Sequence, residues 1–152
     1  MIDEELMERI ESPEEELKRA DHLVFVSLKY TRTCDIMMNA IKRLINAYDM
    51  VIDEYLDSLK EKKKLKEIPN TTKEKAALAR KLLGNSAKKY MLLYNLMKII
   101  NKCEYSRIDE FRKNVTLKTK GTKSVSIKME DVHNFLDTAS EFVKFMRLKI
   151  GS

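Results

Sequence analysis

Apolar residues recur every three or four positions over most of this chain, the period of a helix with one buried face. Stepping about 100° per residue, Leu23, Val26, Tyr30, Cys34, Met37, Ile41, Leu44, Tyr48, Val51, Tyr55 and Leu59 stay on one side. Asp35, Asn39, Lys42, Asn46, Asp49, Asp53 and Asp57 hold the other. The start is marked by Ser12 as N-cap, Pro13 in the first turn, Glu14–Glu16 at the positive end of the dipole, and Glu15 completing a capping box. Thr31–Thr33 are weak helix formers and a candidate break, yet the stripe keeps its register across them. The pattern therefore predicts one helix over 13–64.

That helix would be about 75 Å long, against a radius of gyration of about 15 Å for a compact domain of this size. It must kink, overhang or meet a second copy. Val24, Phe25 and Leu28 point away from the stripe and need cover of their own. Self-association through these three residues, giving a homodimer, is the expectation.

A lysine-rich loop, "KEKKKLKEIPN", leads to a second capping box, Thr71 and Glu74, and a helix predicted over 72–102. Gly84 inside it weakens the helix and suggests a close helix contact. The period then falls to two in "NVTLKTKGTKSVSIK". Val115, Leu117, Val125 and Ile127 share one face, and "TKGTK" makes a turn: a β-hairpin resting on the helices. A last helix, over 128–148, buries Val132, Phe135, Leu136, Ala139, Phe142, Val143 and Met146. The expected fold is mainly α: a single bundle of long antiparallel helices with one short β-hairpin before the C-terminal helix.

Composition narrows the function. Three Gly in 152 residues leave no room for a glycine-rich phosphate loop or dinucleotide fingerprint. Two histidines, His22 and His133, and two cysteines, Cys34 and Cys103, form no metal-ligand spacing, and no nucleophile elbow appears. No metal, no cofactor and no catalytic residue is expected. Cys34 and Cys103 read as reduced, partly buried thiols. No apolar run reaches the length of a membrane span, and the acidic N-terminus, 1–12, has the wrong sign for a targeting peptide. The expectation is a soluble cytoplasmic protein.

The net charge of +6 is unevenly spread. Residues 1–16 carry eight acids and one base, so the rest of the chain is strongly basic. From 73 to 102 the only acid is Glu74, and Arg80, Lys81, Lys88, Lys98 and Lys102 share an arc opposite the apolar stripe. Lys118, Lys120 and Lys123 add a basic hairpin tip. Lysines in such an arc neutralise phosphates without reading bases, which points to salt-sensitive, sequence-independent binding of RNA or DNA. Two alternatives stand beside it: a surface charged only for solubility, and a structural or adaptor protein acting through a protein partner.

The segment "ADHLVFVSLKYTRTCDIMMNAIKRLINAYDMVIDEYL", followed after a second helix by "EYSRIDEFRKNV", resembles the HEPN helical bundles in its order of elements. Nucleases of that family carry an Arg followed four to six residues later by a His. Arg112 stands about where that Arg is expected, but no His follows in "RKNVTLKTK", and His133 is 21 positions on. The resemblance implies a non-catalytic member that binds RNA or a partner. A rearranged nuclease using Arg112 or His133 is the enzyme alternative.

Overall fold

The computed structural model describes residues 11–151 and is mainly α, with a small antiparallel sheet before the last helix. The acidic stretch up to residue 10 lies outside the described residues. Helix α1 (Pro13–His22) starts as its cap dictates, with the Ser12 hydroxyl accepting from Glu15 N at 3.1 Å. It runs on through a π-helical segment, Leu23–Ser27, and a closing turn, Leu28–Tyr30.

There the expected single helix ends. Thr31, Arg32 and Thr33 leave helical geometry, and α2 (Cys34–Glu61) begins anew. Three hydrogen bonds hold the break. The Thr33 hydroxyl accepts from Ile36 N at 3.3 Å, the Glu110 carboxylate accepts from Cys34 N at 2.9 Å, and Phe111 N donates to the Arg32 carbonyl at 2.7 Å. Two of these partners come from a loop nearly eighty residues on, so no local phase count registers them. The break also removes the length problem, because α1 turns back along α2, where the Glu16 carboxylate bridges Arg19 and Arg43.

The stripe of α1 is corrected too. Val26 and Tyr30 are exposed, and the buried line is Pro13, Glu16, Ala20, Val24 and Leu28. A strict four-residue spacing drifts away from one face of a 3.6-residue helix. The wider π turn takes up the extra residue and returns Val24 and Leu28 to the core. Along α2 the predicted line holds: Cys34, Met37, Ile41, Leu44, Tyr48, Val51 and Tyr55 are buried. Met38, Ile45, Ile52 and Leu56 are buried as well, because α2 is packed on more than one side.

The predicted second helix is two. Helix α3 (Thr72–Leu83) opens on Thr71, whose hydroxyl accepts from Glu74 N at 3.2 Å, and stops at Gly84. Gly84 has φ +70°, a conformation that costs a side-chain-bearing residue. Nothing lies within 4 Å of where its Cβ would be, so the glycine serves the backbone bend and no close helix contact. A 3₁₀ turn, Gly84–Ala87, leads into α4 (Lys88–Lys102).

Strands β1 (Tyr105–Ile108), β2 (Thr116–Thr119) and β3 (Ser126–Lys128) form one antiparallel sheet in that order. The predicted hairpin is β2–β3, with Leu117 opposite Ile127 and both buried. The third strand, β1, adds Arg107 opposite Leu117. Helix α5 (Met129–Gly151) is opened by Asp131, which accepts from Lys128 N at 2.8 Å. Its face joins α2 and α4 in one aromatic core. Phe142 stacks on Tyr48 at 4.4 Å, and the Tyr48 hydroxyl donates to the Tyr90 carbonyl at 2.9 Å. Burial without a countercharge pushes the Tyr48 hydroxyl far up, so it stays a donor.

Candidate nucleic-acid interface

Helices α3 and α4 run back along each other, but each packs on α2 rather than closely on its neighbour. A cleft of about 650 Å³ opens between them. Lys73, Ala76, Ala77 and Arg80 line it from α3, and Met91, Tyr94, Asn95, Lys98, Ile99 and Lys102 from α4. Past Ala77 and Arg80 it continues into a second depression of about 460 Å³ that takes in Lys81, Gly84 and Lys88. Arg80, Lys81, Lys88, Lys98 and Lys102, predicted to share an arc on one helix, thus line one continuous surface formed by two helices. Lys73 joins them. Lys73 is not among the arc predicted from one helix, since its place at the cleft depends on the fold at Gly84.

Among the described residues no acid lines either depression. Among the described residues, none of these six bases is in an ion pair. Their neighbours behave differently: Lys75 pairs with Asp53 at 2.9 Å and Lys89 with Glu141 at 3.2 Å. An ordinary solvated face mixes both signs, and the cleft walls do not.

The floor is apolar. Ala76, Met91 and Tyr94 are buried, while Ile99 keeps 58% of its surface. Behind the floor, the Tyr94 hydroxyl donates to Asp49 Oδ1 at 2.5 Å. Burial pushes the Asp49 carboxyl up, against the pull of that hydrogen bond and of Lys98. The Tyr94 hydroxyl is itself pushed up, by burial first and by the Asp49 carboxylate second. Lys98 Nζ lies 5.7 Å from the Tyr94 ring centroid. Lys98 thus stands beside the Tyr94 ring at the cleft wall. Of the α2 acids expected on a solvated face, Asp49 and Asp53 are half-buried and engaged. Asp35, though exposed, accepts from Tyr105 at 2.6 Å and Arg107 at 2.7 Å.

The hairpin lysines are divided. Lys120 N donates to the Glu104 carbonyl at 2.8 Å, which puts its backbone beside the end of α4, two residues past Lys102. Lys118 stands exposed on β2 between Ser106 and Ser126, and Lys123 is exposed in the β2–β3 turn. None of the three lines the cleft.

The self-association residues are not one surface. Val24 and Leu28 are 1% and 0% exposed inside this chain's own core. Only Phe25 reaches the surface, its ring edge-on to His133 at 4.7 Å. Their cover comes from the chain itself, through the π turn. Phe25, Val26 and Tyr30, in the segments that follow α1, are exposed, as is Phe111 in the loop before β2.

Another surface groove, of about 630 Å³, lies between α1 and α5, but its Glu14 and Arg147 are hydrogen-bonded to each other at 2.7 Å. Among the described residues no group of three or more His, Cys, Asp or Glu is placed to hold a metal ion. Among those residues, too, no helix is long and apolar enough to cross a membrane. Comparison with known proteins yields no match: no family model fits the chain, and no curated protein or solved structure is significantly similar to it.

Proposed function

We propose that this protein binds nucleic acid without catalysis, through the phosphate backbone, in the cleft between α3 and α4. One observation carries the reading. Among the described residues, six bases from two helices converge on one concave surface with no acid among them and no ion pair to occupy them. Phosphates are the commonest ligand for such an array, and point charges without bidentate base contacts give little sequence preference. The resemblance to the HEPN bundles, with its missing histidine, implies the same non-catalytic role.

Fluorescence anisotropy with short labelled RNA and DNA tests this. Five phosphate contacts on a single strand give a salt slope of about −3.5, a loss of about 10² in affinity between about 50 and about 200 mM salt. The variant Arg80→Glu/Lys88→Glu/Lys98→Glu should lose binding at low salt. Unchanged affinity in that variant removes the cleft as the site. Equal binding of polyglutamate identifies the cleft as a surface for acidic proteins instead.

A further inference from the structure

We infer, resting on the reading just given, that the cleft takes single-stranded nucleic acid in preference to duplex. The cations stand on both walls, Lys73 and Arg80 on α3 facing Lys98 and Lys102 on α4, and an apolar floor lies between them. With α3 twelve residues long, the walls extend for about 18 Å. The volume of about 650 Å³ is within the range of sites that enclose small ligands, about 300–1,000 Å³.

A duplex presents its phosphates outermost and its bases stacked inside. Laid on this cleft it would reach the rims and leave the floor uncovered. A single strand has its bases free to turn inward, so its phosphates can run along the rims while a base covers Ile99. Single-strand binders generally pair a basic groove with aromatic side chains on which bases stack, and here an aliphatic side chain takes that place. Here Tyr94 is 2% exposed and serves as support, so the face offered to a base is Ile99. The same walls serve RNA and DNA, because nothing on them selects a sugar.

The test uses the full chain, at about 50 mM salt, with a twelve-nucleotide strand and the blunt duplex of the same sequence, each as RNA and as DNA. The wild type should bind the single strands at least tenfold more tightly than the duplexes. Ile99→Ser, at a site already more than half exposed, should leave the helical circular-dichroism signal intact. It should weaken single-strand binding by about fivefold and leave duplex binding unchanged. Equal or tighter duplex binding, or indifference to Ile99→Ser, overturns the inference while the basic cleft still stands as a nucleic-acid site. Failure to bind any of the four ligands removes both.

Discussion

Tyr94 shows how one side chain serves core and surface together. Its ring is part of the aromatic core, 5.3 Å from Tyr48, and its hydroxyl satisfies Asp49 behind the cleft. Tyr94→Phe leaves that half-buried carboxylate without its donor and should cost about 1–2 kcal/mol. Asn at 49 needs no charge satisfied, so Tyr94→Phe/Asp49→Asn should recover part of the loss in denaturant titrations. The pH dependence follows from the direction of the shift. The folded pKa of Asp49 is raised, so its protonated form favours the fold at low pH, and that contribution is lost as pH rises through the folded pKa. Asp49→Asn should therefore gain on the wild type as pH rises above the unfolded carboxylate value of about 4. Glu14 runs the other way. The hydrogen bonds from Arg147 hold its carboxyl low, so its contribution is present above the unfolded pKa and fades as pH falls through the folded one. Glu14→Gln should weaken the fold at neutral pH, by an amount that shrinks as pH falls below the unfolded value of about 4.3. Asp49 and Glu14 sit on opposite sides of the same question, and their sequence surroundings alone, both next to other acids or amphipathic helix, do not distinguish them.

At the scale of elements, local chemistry was legible and long-range chemistry was not. The caps at Ser12 and Thr71 and the period-two hairpin were visible because each depends on neighbours within a few residues. The break at Thr31–Thr33 depends on Glu110 and Phe111, and the register apparent across it joined the buried stripe of α2 to Val26 and Tyr30, which are exposed. Thr33→Ala should cost about 1 kcal/mol, since it removes the only cap of α2 supplied by its own flank. The π segment allows a sharper test. Ala20, Val24 and Leu28 are spaced by four, and the wide turn absorbs one surplus residue. Deleting the exposed Val26 restores a spacing of four then three, the ordinary period of an α-helix. The deletion variant should fold, with a Tm within a few degrees of the wild type or above it. An unfolded product would mean that the π turn itself is required. The strand β1 escaped notice for the simplest reason: "YSRI" is four residues long, too short for a period to declare itself.

For the whole molecule, charge is partitioned. Acids at the start of α1 are tied to Arg19, Arg43 and Arg147, and the α2 acids to Tyr94 and Lys75, while among the described residues the cleft bases make no ion pair. The composition announced this imbalance, and the phase of one helix named five of its residues. It could not show that two helices face each other, because that arrangement turns on the backbone of Gly84. An unmatched cluster repels itself, and the repulsion is felt over about 10 Å at 0.1 M salt. If these bases are held together for a ligand, the empty protein carries that cost. Raising salt from about 10 to about 200 mM should then raise the wild-type Tm, and Arg80→Glu/Lys88→Glu should abolish the rise while leaving the low-salt Tm equal or higher. Surface changes elsewhere usually move stability by no more than about 0.5 kcal/mol. Reversal of Lys29 and Lys144, exposed bases outside the cleft, serves as the control and should leave the salt response in place. A wild-type Tm indifferent to salt would mean that the cleft charges are already balanced, leaving no excess positive charge for a polyanion to neutralise.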